Sequence, residues 1–253
     1  MKNTSQGIRI KNANEVDILR KAGKILNSIV VQLQSSLTSG MSTKDIDLKA
    51  EELIRAHKVI AAFKGYRGFP GTACISINEV VVHGIPGPRI IKDGDIVSLD
   101  MGIIYEGYYS DTAVTVPVGN ISPEVKRLLE VTHASLFRGI EQARVGNRLS
   151  DISFAVQSFV EMHGFSVVRD FVGHGIGKQL HEEPEIPNYG RKGQGPVLQT
   201  GMVFAIEPMV NMGTHRTRVL NDGWTVVTED GKPSAHFEHT IVITAQGPEI
   251  LTK

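Results

Sequence analysis

Apolar residues in the first part of the chain recur at helical spacing: Val16, Leu19, Ala22, Leu26, Ile29, Val30 and Leu33 share one face and predict a helix over 14–37. Asn14 is its candidate cap, and Thr38-Ser39-Gly40 ends it. Ser42-Thr43-Lys44-Asp45 has the start signature of a second helix, whose stripe of Ile46, Leu48, Leu53 and Ile54 runs to about His57. The pattern then turns strand-like over 59–64, 73–77 and 80–82, with a glycine-rich loop at 65–71. Two longer β-rich runs, 96–104 and 108–116, flank Glu106-Gly107 and predict a hairpin. Pro123 opens a third helix to about Val145, and a fourth runs over 150–163 with Gly164 as its stop. Short strands and glycine-rich loops fill the remainder.

The helix pairs resemble one another. A shift of 106 places Gly40 on Gly146, Asp45 on Asp151, Ile46 on Ile152, Leu53 on Phe159 and His57 on His163. Chance agreement between amphipathic helices is the alternative. Duplication would make residues 1–253 one domain with pseudo-halves at roughly 12–118 and 119–249, and would put a site in the cleft between them.

Composition narrows the class. Lysine plus arginine equals aspartate plus glutamate, 27 each, so no net field draws nucleic acid or an acidic membrane surface. Gly 26 against Pro 11, without low-complexity runs, points to tight turns. Cys74 is the single cysteine, which excludes an intramolecular disulfide and fits a reducing compartment. No signal-peptide core or apolar run of roughly 18 residues is present, and a cytoplasmic protein is expected.

Chemistry enters through polar residues in apolar strands. Asp100 and Asp111 sit on the two arms of the predicted hairpin, on a shared face if the register allows. Two half-buried carboxylates repel one another and need a cation. His174 stands among Gly173, Gly175 and Gly177, where the backbone can approach a ligand. Glu207 ends the apolar run Ala205-Ile206, and Glu238 stands in His236-Phe237-Glu238-His239. Taken singly each has a structural reading; together four carboxylates and one imidazole balance two divalent cations. Such an oxygen-rich set suits Mn²⁺, Fe²⁺ or Co²⁺, and Zn²⁺ less exclusively. Paired cations activate water and polarise carbonyls.

Seven segments carry a resemblance that runs from about residue 12 to 249: Val82-His83-Gly84-Ile85-Pro86, Ser98-Leu99-Asp100-Met101-Gly102, Ser110-Asp111-Thr112-Ala113, Gly173-His174-Gly175-Ile176-Gly177, Leu180-His181-Glu182-Glu183-Pro184, Ile206-Glu207-Pro208-Met209 and Glu238-His239-Thr240. In this order the chain resembles the type I methionine aminopeptidases. The resemblance implies the pita-bread fold, an α+β domain of pseudo-two-fold symmetric halves with a curved antiparallel sheet backed by helices. It implies removal of the initiator methionine from nascent chains, with small second residues preferred, using two divalent cations (Co, Mn, Fe, Zn or Ni).

By the same resemblance, Asp100 chelates one cation, His174 and Glu207 the other, and Asp111 and Glu238 bridge. Glu207 is the general base and proton shuttle, His181 holds the scissile carbonyl, and His83 meets the peptide nitrogen. Tyr66, Phe69, Cys74 and Trp224 match positions lining the methionine pocket. For Cys74 plain core or a nucleophile are the alternatives, and for Trp224 core packing. Asn78, Val80 and Ser234 match positions that hold a monovalent cation through side-chain and backbone oxygens, and Leu180 replaces an aromatic of several relatives. His57, His133, His163, His215, His236 and His239 are expected to be structural or on the surface.

The rivals are weaker. Proline-specific and creatinase-like relatives carry a sizeable N-terminal domain, for which the segment before Gly40 is too short. A binding-only homologue would have lost ligands. Gly173–Gly177 lacks the Gly-Lys-Ser/Thr of a phosphate loop, and a type II enzyme would need a helical insertion after His174. N-terminal methionyl peptides and nascent chains are the expected partners, a ribosome contact is a further expectation, and the chain is expected to be a monomer.

Overall fold

The computed structural model describes residues 2–3 and 7–253. Helices α1 (Ala13–Ser36) and α2 (Thr43–Ala56) precede the first strands, and α3 (Pro123–Gln142) and α4 (Leu149–Met162) precede the second group. The start of α1 departs from expectation. Asn12, not Asn14, is the cap, because Glu15 then completes a reciprocal pair: Glu15 N–H donates to Asn12 Oδ1 and Asn12 N–H to the Glu15 carboxylate. Ser42 and Asp45 form the same box on α2, as the sequence predicts. Helix α3 stops at Gln142, short of Val145, where Ala143 leaves the helical region. Gly164, with φ +81, follows α4.

The main sheet has nine antiparallel strands: β1 (Ile60–Ala61), β2 (Cys74–Ile77), β3 (Ile96–Tyr105), β4 (Tyr108–Pro117), β5 (Gly173–Gly175), β6 (Glu182–Ile186), β7 (Val203–Ile206), β8 (Glu238–Thr244) and β9 (Gly247–Ile250). Their spatial order is β6-β5-β7-β8-β4-β3-β1, with β9 beside β8 and β2 beside β3. The strand expected over 59–64 shrinks to β1, since pairing with β3 covers only Ile60 and Ala61. The hairpin forms as predicted. Glu106 and Gly107, at φ +50 and +79, make the two-residue turn whose twist matches the flanking strands.

Period-two alternation decides which face of β3 does what. Val97, Leu99, Met101 and Ile103 pack with Leu26, Ile29, Leu33 and Ile46 of α1 and α2 in one core. A second core joins α3 and α4 to Phe204, Ile206, Ile241 and Ile243 of β7 and β8. A third, with Leu19, Phe63, Cys74, Ile176, Val203 and Leu251, spans the two groups. The face of β3 turned away from its helices carries Ser98, Asp100 and Gly102. Burying these cores is the main stabilisation, at about 25 cal/mol per Å² of apolar surface removed from water.

Candidate metal centre

Strand register brings the predicted ligands to one face. Asp100 lies opposite Ala113, and Asp111 opposite Gly102, so both carboxylates project to the same side as diagonal neighbours. Glu238 is also opposite Ala113, from β8, which places Ala113 between Asp100 and Glu238. On the other side His174 and Thr240 both lie opposite Ala205. Glu207 follows two residues after Ala205, on that same face. The small side chains of Ala113 and Ala205 leave the space that the larger polar groups fill. All five ligand candidates line one cavity of about 200 Å³.

Within it, one ligand atom each from Asp111, His174 and Glu238 lie within 4.8 Å of one another. His174 Nδ1–H donates to the Gly175 carbonyl at 2.9 Å, which leaves the Nε2 lone pair facing Glu207 Oε1 at 3.5 Å. Lone pair against an ionised carboxylate is repulsive unless a proton or a metal cation lies between. Asp111 Oδ1 and Glu238 Oε1 are buried with no hydrogen-bond partner among the described residues. Burial first, and neighbouring carboxylates second, push Asp111 and Glu238 well above the usual carboxylate range. Burial raises Asp100 and Glu207 as well. These orphaned oxygens, four crowded acids and one imidazole presented by its lone pair fit divalent cations.

Three further imidazoles surround the acids. His181 Nδ1 lies 2.8 Å from the Tyr66 hydroxyl, and its ring centroid 4.3 Å from that of His174. Burial, then the charge of Arg67, lowers the His181 pKa. His83 has φ +58, and its ring meets Phe171 and Trp224 edge-on at 5.5 and 6.1 Å. Burial pushes its pKa down to about 4.

The third, expected to be structural or on the surface, lies buried beside the acids. His236 is buried, and its Nε2 lies 3.4 Å from Glu207 Oε2. Neither ring nitrogen has a hydrogen-bond partner among the described residues. The signal available in the sequence was its place two residues before the ligand candidate Glu238. His239 faces away, with Nδ1 2.9 Å from Thr252 Oγ1.

Tyr66, Phe69, Cys74 and Trp224 all line the cavity, joined by Phe63, Arg67 and Leu180. Phe69 and Trp224 meet edge-on at 5.2 Å. Burial, with Asp100 second, pushes the Cys74 thiol up and away from the thiolate form, and the side chain lines the cavity. Asn78 and Ser234 adjoin, Ser234 N–H donating to the Asn78 carbonyl at 2.8 Å. The Asn78 side chain is committed elsewhere, its Oδ1 to Ile96 N–H and its Nδ2 to Asp95. Glycines around His174 also serve differently from expectation. A Cβ at Gly173 would stand 2.4 Å from the Ala205 carbonyl, and one at Gly175 2.2 Å from that of Glu183. They let strands close on each other rather than on a ligand.

Residues 17–245 match metallopeptidase family M24. The chain is 56% identical over 245 residues to a methionine aminopeptidase of Clostridium perfringens, covering 97% of this chain and 98% of that one. It is 53% identical over 243 residues to methionine aminopeptidase 1 of Bacillus subtilis, covering 96% and 98%. Among solved structures, the methionine aminopeptidase of Thermotoga maritima superposes with a TM-score of 0.95 at 47% identity, covering 97% of this chain and 99% of that one. The prolidase of Pyrococcus furiosus gives 0.79 at 25% identity, covering 96% and 65%.

Proposed function

Because the chain belongs to metallopeptidase family M24, in its methionine aminopeptidase branch, we propose that its cavity seats an N-terminal methionine and hydrolyses the bond after it. The observation that carries this is the register-driven gathering of Asp100, Asp111, His174 and Glu238, with Glu207 beside them, on one face of the sheet. These five would hold the divalent cations, two by charge balance. When bound, the cations lower the pKa of a water and draw charge from a carbonyl.

The chain's own groups do the rest. Glu207 takes a proton from the attacking water and returns it to the leaving amine as the C–N bond breaks. Its place between His174 and His236 keeps both oxygens in the cavity. His181, with Nδ1 engaged by Tyr66, presents Nε2–H to the scissile carbonyl oxygen. His83, neutral at physiological pH, meets the peptide nitrogen on the leaving side. Phe69, Cys74, Trp224 and Tyr66 take the methionine side chain, where aromatic edges and a thiol suit a polarisable thioether.

Small second residues are favoured because the chain must pass His181 and Tyr66 to leave a cavity of this size. Nascent chains supply such ends, and we extend the reading to a cytoplasmic monomer acting on them, with a ribosome contact as a further expectation. Among the described residues no helix is long and apolar enough to cross a membrane. A monovalent cation near Asn78, Val80 and Ser234 would rest on main-chain oxygens, given the commitments of the Asn78 side chain.

The test is chelated protein incubated with Met-Ala and Met-Leu peptides, each metal restored in turn, and free methionine measured. Release from Met-Ala over Met-Leu is expected. Inertness under every metal would end the reading, and cleavage of Xaa-Pro bonds alone would move the chain towards the prolidases.

A further inference from the structure

Arg67 is the only lysine or arginine among the described residues lining the cavity. It occupies the short turn Tyr66–Gly68 with φ +48 and ψ +25, left-handed values that a residue with a Cβ rarely adopts. Gly65 and Gly68, at φ +85 and +90, flank it and allow the chain to make the turn. The guanidinium carbon stands 5.4 Å from the centroid of the Tyr66 ring. The hydroxyl of that ring reaches His181 Nδ1 at 2.8 Å, so the cation is one ring away from the group assigned to the scissile carbonyl. The side chain is exposed, and a guanidinium carries N–H donors suited to a carboxylate. Among the described residues no carboxylate forms an ion pair with it, whereas Arg55 and Lys64 near by share Glu51.

The course of a substrate follows from the assigned groups. With methionine among Phe69, Cys74 and Trp224 and the carbonyl at His181, the next residue lies against the cavity wall. The third is the first whose side chain is free to reach the rim. We propose that Arg67 is a specificity-determining residue that recognises an acidic side chain at the third position of the substrate. The inference rests on the aminopeptidase reading above. Because Arg67 is exposed, its contact is weakened by solvent, and the expected discrimination is about three- to fivefold.

The experiment compares kcat and KM for Met-Ala-Asp-amide, Met-Ala-Asn-amide and Met-Ala-Lys-amide at low salt. The terminal amide removes an α-carboxylate that would occupy the same place. The unaltered protein should favour Asp over Asn over Lys, through KM, with the order fading as salt rises. Arg67→Gln should flatten the order, and Arg67→Glu should invert it. A purely structural role would lower all three substrates together. That result overturns the proposal, as does equal use of the three peptides by the unaltered protein. Failure of the metal-loaded, unaltered protein to release methionine from Met-Ala-Asn-amide would instead overturn the aminopeptidase reading, and this inference with it.

Discussion

His236 Nε2 stands 3.4 Å from Oε2 of Glu207, while His174 Nε2 stands 3.5 Å from Oε1 of the same carboxylate. Glu207 is thus flanked by an imidazole at each oxygen, one from β5 and one from the strand Ser234–His236. Only His174 belongs to the ligand set expected from sequence. A buried group that orients a ligand commonly changes activity or metal affinity by about 10- to 100-fold when removed. His236→Ala is therefore expected to lower kcat by about that factor with little change in KM. His236→Gln, which keeps an N–H donor, should recover part of the loss. Steady-state kinetics with a Met-Ala peptide at saturating metal checks both variants; equal kcat in all three proteins would assign His236 to packing alone.

Glu207→Gln keeps the volume of the side chain and removes its proton-accepting oxygen. Turnover should fall by at least ~10²-fold, the usual contribution of a positioned general base. Glu207 also faces the cation site, so metal content must be measured on the same sample. Loss of turnover in fully loaded protein identifies proton transfer. A loss that follows metal content in proportion would make Glu207 a ligand only.

Much of this site was legible because polar residues interrupt apolar strands. Asp100 among Val97, Leu99 and Met101 could be read without coordinates, and so could Glu207 after Ala205-Ile206. Whether Asp100 and Asp111 share a face was not legible, since it hangs on pairing Asp100 with Ala113 and Asp111 with Gly102. His236 was missed for a related reason. Its strand has three residues, too few for alternation to show against the loop around it. Asn12, and not the expected Asn14, is the cap because the partner that decides between them, Glu15, acts through a reciprocal hydrogen bond and not through apolar spacing. Arg67 left no mark in the hydrophobic pattern, since its importance comes from a backbone angle and an absent counter-charge.

Gly175 shows how a correct motif can carry an incorrect reason. Its Cβ would stand 2.2 Å from the Glu183 carbonyl and 2.9 Å from that of Glu182, both backbone atoms of β6. Gly175→Ala must push β5 from β6, which moves His174 on one side and His181 in the intervening loop on the other. Overpacking of this kind costs about 1–3 kcal/mol. The expected result is a lower melting temperature together with weaker metal binding by calorimetry. Unchanged values for both would show that the strands have slack.

The crowded acids make metal-free protein sensitive to pH in an unusual direction. Carboxylates of an unfolded chain titrate near pH ~4. Burial pushes Asp100 up to about 7 and Glu207 up to about 8, so between these limits the folded chain holds protons that the unfolded chain has released. Stability from these groups is full below about pH 4 and is lost as pH rises through the folded values. The melting temperature of chelated protein should accordingly fall between about pH 5.5 and pH 8, by about 2–4 °C for each kcal/mol lost. Divalent cations bind the deprotonated acids, so Mn²⁺ should raise the melting temperature far more at pH 8 than at pH 5.5, with protons released on binding. Thermal melts across this range, with and without Mn²⁺, separate the alternatives. Stability of the chelated protein that rises with pH would mean that the four acids are ionised and tolerated without a cation, which would remove the electrostatic case for a metal at this site.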